Sequence, residues 1–206
     1  MFFSALSTYW MPEKNNFNKE IYRKYLHIIY SSTIALALWY FGKDAVLPWF
    51  IAIAIILPLL DYGRHHIALL GHIFVYFFAF FTRPIEYRKL TGASWIVIGA
   101  ALCTLIFSER AVIISLLVLS ISDSIAAIIG IKFGKTQLFN KSLEGSAAFF
   151  LSASCIVFFL SPAIFIINLS AVFAATTVEL FSTPRFNDNL FIPVITALIL
   201  SLGVAL

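Results

Sequence analysis

Apolar residues run along this chain in long unbroken blocks separated by short polar stretches, with little alternation and no single apolar helical face. Seven blocks stand out, at 22–41, 45–60, 91–107, 111–131, 145–160, 162–181 and 190–206. A helix needs about 20 residues to cross a bilayer core of roughly 30 Å, and fewer where flanking side chains reach the interface. The pattern therefore predicts an all-α polytopic membrane helix bundle with about seven transmembrane helices. An eighth block, 67–81, is shorter, follows Arg64-His65-His66, contains His72 and stops at Thr82-Arg83-Pro84.

Basic residues decide how the eighth block is read, because cytoplasmic loops carry the excess of Lys and Arg. If 67–81 stays on one side, twelve basic residues fall inside and only Lys43 and Arg110 outside. If it crosses, the division is six against eight. The polarised partition predicts an interfacial or re-entrant helix at 67–81, with the polar 1–20 segment in the cytoplasm.

Composition agrees. Hydrophobic residues make up 61% of the chain and charged residues 12%, and mean hydropathy is +0.96. Soluble domains carry about 25% charged residues. The expectation is a single membrane-embedded domain over 1–206, multi-pass in a bacterial inner membrane. No nucleic-acid partner is expected, and the net charge is a modest +4. Cys103 and Cys155 lie in apolar runs and suggest neither a disulfide framework nor a metal pair. Residues 1–10 lack the basic start of a signal peptide.

An ionisable residue inside a span costs several kcal/mol and so points to function. Asp123 stands eight residues before the end of the 111–131 block, roughly 12 Å deep at about 1.5 Å per residue. Ser120, Ser122 and Ser124 surround it, and Ala126, Ala127, Gly130 and Gly134 follow as a small-residue stripe. Such a stripe serves close helix packing or leaves room for a ligand. The next loop brings Lys132, Lys135 and Lys141 to a helix start at Gly145-Ser146. Backbone N–H groups there suit a phosphate. The spacing Gly130-x-x-x-Gly134-Lys135 is nevertheless not a Walker A motif, and a lysine-rich cytoplasmic loop explains the same residues.

Glu86, Arg88, Glu144, Glu179, Asp188 and Asn189 fall at the same membrane face, and His27 follows Arg23-Lys24 at the first span. Singly they have plain explanations: His27 as an interfacial residue, Glu86 as a solvated charge, Asp188 as a helix cap. Together, acids and lysines suit a multi-anionic ligand with Mg²⁺, which takes oxygen ligands and substrate phosphates.

Three ordered segments carry a family resemblance. They are Ser122-Asp123-Ser-Ile-Ala-Ala-Ile-Ile-Gly130-Ile-Lys-Phe-Gly134-Lys135, Lys141-Ser142-Leu-Glu144-Gly145-Ser146 and Asp188-Asn189-Leu-Phe-Ile-Pro193. Arg23-Lys24-x-x-His27, Arg83-x-x-Glu86 and Leu90-Thr91-Gly92-Ala93 precede them in order. The chain resembles the CTP-dependent lipid kinases, the group of dolichol kinase, phytol kinase and CTP-dependent diacylglycerol kinase. The resemblance implies transfer of the CTP γ-phosphate to a membrane lipid alcohol at the cytoplasmic face, with Mg²⁺ or another divalent cation. It makes Asp123 the central catalytic or metal-binding acid, Lys141 a catalytic residue, and Asp188 a second metal carboxylate. Lys141, Ser142, Gly145 and Ser146 would contact the phosphates, with Gly130, Gly134 and Lys135 shaping the pocket and Asn189 helping Asp188 to close it. Glu144 stands where relatives often carry a small residue.

Two other functions compete. A phosphatidate cytidylyltransferase also uses CTP and lipid, but its terminal Asp-Arg-x-Asp is absent here, and the Lys-Asp pair of this chain, Lys43-Asp44, falls in an outside loop. A small transporter or channel would use Asp123 and Glu179 as an ion relay.

Overall fold

The computed structural model describes residues 17–82, 86–87, 89–139, 141–183 and 186–204. Arg88, Arg83, Arg185 and the 1–16 part of the N-terminal segment lie outside them. The fold is all-α apart from one two-stranded hairpin. The helices are α1 (Phe17–Phe41), α2 (Lys43–His66), α3 (Ala68–Phe78), α4 (Gly92–Ile106) and α5 (Glu109–Phe133). After the hairpin of β1 (Gln137–Leu138) and β2 (Lys141–Ser142) come α6 (Leu143–Leu160), α7 (Phe165–Leu180) and α8 (Asp188–Val204).

Three of these, α2, α5 and α6, are long and apolar enough to cross a membrane. The 68–81, α4, α7 and 188–203 segments are shorter apolar helices. Large apolar side chains face outward along the bundle, among them Trp39, Trp49, Phe159 and Phe173. A soluble monomer rarely shows apolar surface on this scale, and lipid is the medium that accepts it.

Helix α5 is the most enclosed of the long helices. Helix α1 lies against its length, α6 packs on its second half, and α8 packs on α4, α5 and α7. The core between them is built from side chains such as Leu38, Leu116, Leu119, Phe149, Val172 and Ile192. Gly42 links α1 to α2 in one residue at φ +78°, a conformation open to glycine and rare for other residues.

Near its middle α5 widens into a π-helical turn over Val118–Ser122, directly before Asp123. Such turns free a backbone carbonyl and are frequent at functional sites. Here Leu119 O accepts from His27 Nε2 at 3.3 Å. Neighbouring Ser120 Oγ donates to Ile28 O at 3.1 Å, and Ser32 Oγ lies 2.7 Å from it. The loosened turn is thus stitched to α1.

The apolar blocks locate the helices but not all their ends. Helix α2 continues through His66, past the block's end at 60. It can do so because most of the added polar atoms find partners, Arg64 Nη1 being buried without a hydrogen bond among the described residues. Asp61 Oδ2 accepts from Thr91 N at 2.8 Å, Thr91 Oγ1 at 2.8 Å and Ser94 Oγ at 2.6 Å. Arg64 Nη2 donates to Glu86 O at 2.6 Å and Lys89 O at 2.9 Å, and its guanidinium covers the Phe74 ring at 3.7 Å. The 67–81 block is helix α3 plus a 3₁₀ turn, Ala79–Phe81, with no buried residue. It packs on α2, and its Phe80 meets Tyr22 of α1.

Candidate functional site

Four helices and the hairpin bring charged residues to one end of the bundle. On α1, Lys24 forms a buried ion pair with Asp123 Oδ2 of α5, and His27 Nε2 lies 3.5 Å from the same oxygen. All three side chains are nearly inaccessible, so the Lys24–Asp123 pair receives little solvation from water. Beside Asp123, Ser122 Oγ is buried with no hydrogen-bond partner among the described residues.

Lys141, on β2, forms the second half. Its Nζ lies 2.9 Å from Glu179 Oε1 on α7 and 3.6 Å from Asp188 Oδ2 at the start of α8. The other Glu179 oxygen accepts from Ser146 Oγ at 3.0 Å. Burial alone lowers the Lys141 pKa, but the carboxylates of Asp188, Asp123 and Glu179 outweigh it and hold the ammonium above the ordinary lysine range. Asp123 therefore faces a cation from each half, Lys24 in contact and Lys141 through the field.

The glycine stripe explains how the hairpin reaches this place. Ser142 caps α6 by accepting from Gly145 N at 3.1 Å. A Cβ at Gly130 would stand 2.9 Å from Ser142 Oγ, and one at Gly145 would stand 2.9 Å from Ala126 O. A Cβ at Gly134 would lie 2.8 Å from Ser142 Oγ. Side chains at these positions would push the start of α6, and Lys141 with it, away from α5. The glycines of the stripe thus lie in close helix packing, and that packing positions the lysine.

Other sequence candidates fall elsewhere. Glu144 turns away from the cluster, and its carboxylate accepts from Thr136 N at 3.1 Å to brace the hairpin. Lys135 is exposed on the same loop. Glu86 Oε1 accepts from Gly92 N at 3.0 Å within the segment leading into α4, and Asn189 Nδ2 lies 3.5 Å from Gly92 O, which ties the start of α4 to α8. Arg88 is outside the described residues. His27 is not a plain interfacial residue: it faces Asp123 inside the bundle. Lys24 is the functional candidate that charge counting concealed, since it also serves as one more cytoplasmic lysine. Its signal was the i, i+3 spacing to His27, which puts both on one helix face.

Among the described residues, no three of His, Cys, Asp and Glu gather as a metal cage.

No known family model and no solved structure matches the chain. It is 31% identical over 189 residues to an uncharacterized protein of Methanocaldococcus jannaschii, covering 89% of this chain and 93% of that one. It is 35% identical over 189 residues to an uncharacterized protein of Rickettsia prowazekii, covering 86% and 91%. Identity at this level along nearly the full length of both shows that the chain belongs to one family with these two proteins.

Proposed function

We propose that the chain is a CTP-dependent lipid kinase that phosphorylates a membrane lipid alcohol of the polyprenol, phytol or diacylglycerol type. The observation that carries this reading is the alternation of charge around Asp123. Two lysines, Lys24 and Lys141, are neutralised by Asp123, Glu179 and Asp188 beside the start of α6. A polyphosphate can take over the two ammonium groups, and a divalent cation can take over the carboxylates they release. Asp123 and Asp188 are the carboxylates that would hold Mg²⁺, and the cation would neutralise charge on the phosphates. Phosphoryl transfer depends mainly on such positioning and neutralisation. The lipid oxygen bonds the γ-phosphorus, the bond to the β–γ bridging oxygen breaks, CDP leaves, and the hydroxyl proton is released.

Purified protein incubated with γ-labelled CTP, Mg²⁺ and a panel of lipid alcohols should yield labelled lipid and CDP, with ATP a poor donor. Pyrophosphate release with a cytidylyl-lipid product would instead make it a cytidylyltransferase. Ion flux in liposomes without nucleotide turnover would make it a transporter.

The same reading places seven spans across a bacterial inner membrane, the α3 segment at the interface and the charged cluster at the cytoplasmic face. A cysteine introduced at Lys135 should resist a membrane-impermeant reagent added to intact cells and react once the membrane is opened. Rapid labelling of intact cells would reverse the orientation.

A further inference from the structure

The hairpin that delivers Lys141 carries an aromatic ring where a turn residue belongs. Leu138 pairs with Lys141 across β1 and β2, which leaves a two-residue turn beginning at Phe139. Such turns call for positive φ and are usually built from Asn and Gly. Phe139 has φ +56°. That conformation is an outlier for a bulky residue, and outliers of this kind collect at functional sites.

The strain does not serve core packing. Phe139 is 64% exposed, and its ring lies 4.7 Å from that of Phe181, itself 52% exposed. The two rings come from separate segments yet hold matching places. Phe139 is two residues before Lys141, and Phe181 is two residues after Glu179. Lys141 and Glu179 are the partners joined at 2.9 Å. Each ring thus stands two residues along the chain from one partner of that ion pair. Lys132, Lys135, Thr136 and Gln137 of the same stretch are exposed, as are Ile131, Phe133 and Leu138, so Phe139 stands in an exposed segment of mixed polarity.

We propose that Phe139, backed by Phe181, is the stacking platform for the base of the nucleotide whose phosphates meet Lys141. This rests on the nucleotide-binding part of the proposed function and adds the site for the base. An aromatic face supplies affinity without choosing among bases, because every base has a π-face.

The test is equilibrium dialysis of the full chain in detergent, with labelled CTP and, separately, inorganic tripolyphosphate. Phe139→Ala and Phe181→Ala address the rings. Phe139→Asn removes the ring while fitting the turn, since Asn tolerates positive φ. CTP affinity should fall about tenfold in Phe139→Ala and Phe139→Asn, with tripolyphosphate affinity unchanged. Phe139→Asn should also melt higher than wild type. Unchanged CTP affinity overturns the proposal, as does equal weakening of CTP and tripolyphosphate. A loss confined to lipid affinity, the result for a membrane-contacting ring, overturns it as well. Because binding is read, wild-type protein that binds CTP but phosphorylates no lipid defeats the kinase reading and still tests the platform. Protein that binds tripolyphosphate but not CTP overturns the platform, and protein that binds neither overturns both.

Discussion

Asp123→Asn should lower lipid phosphorylation by about 10³-fold or more, the scale on which removal of a central electrostatic group acts. The variant also removes the carboxylate that pairs with Lys24, whose side chain is 4% exposed. Breaking a buried pair by removing one partner costs about 3–5 kcal/mol, so lost fold contributes to the lost activity. The double variant Lys24→Met with Asp123→Leu separates the two. It removes both charges, and apolar replacements of similar size are often tolerated at buried pairs. Its melting temperature in detergent should recover most of the loss seen for Asp123→Asn, while phosphorylation stays absent. Wild-type rates in Asp123→Asn would remove Asp123 from the reaction. Activity returning in the double variant would reduce the pair to a structural role.

Helix positions were legible in the sequence because apolar blocks bounded by charge have few alternatives in a membrane. Their ends were less so. Asp61 and Arg64 read as loop charges until Thr91, Ser94 and two backbone carbonyls are seen to satisfy them. Those partners lie some twenty to thirty residues away, and no local pattern announces them. The site shows the same division. Asp123 stands out as a carboxylate in an apolar block, and Lys141 and Asp188 as charges at helix starts. Which lysine meets which acid was not legible, because it depends on how α1, α5, α7 and α8 converge. The π-helical turn before Asp123 was equally hidden. It depends on hydrogen bonds from α1, and His27 and Ser32 on that helix look like ordinary polar residues of a first span. Glu144 went the other way. Its place beside Ser142 and Gly145 suggests a site residue, yet a carboxylate at a helix start can turn back to an N–H of the preceding loop, and here it does.

Lys141→Ala should reduce phosphorylation by about 10²-fold or more, with a large part of the loss in affinity for CTP. The lysine is held between Glu179 and Asp188, and its raised pKa fixes how wild type responds to pH. A cation whose folded pKa lies above its unfolded value contributes its full stabilisation below the unfolded value. The contribution is lost only as pH climbs through the raised one. Wild-type CTP binding should therefore show no Lys141 titration between about pH 6 and 9, well under the ordinary lysine pKa. An alkaline limb in that window that vanishes in Lys141→Arg would contradict the assignment. Removing the lysine leaves Glu179, 2% exposed, with the Ser146 hydroxyl as its remaining described partner. Lys141→Ala should accordingly lower thermal stability, and adding Glu179→Gln should restore part of it by removing the stranded charge. Phosphorylation should not return with it. A stabilised double variant that stays inactive assigns the lysine to the phosphates, because its structural debt to Glu179 has then been cancelled separately. Recovery of activity along with stability would make Lys141 a brace for α7 and nothing more.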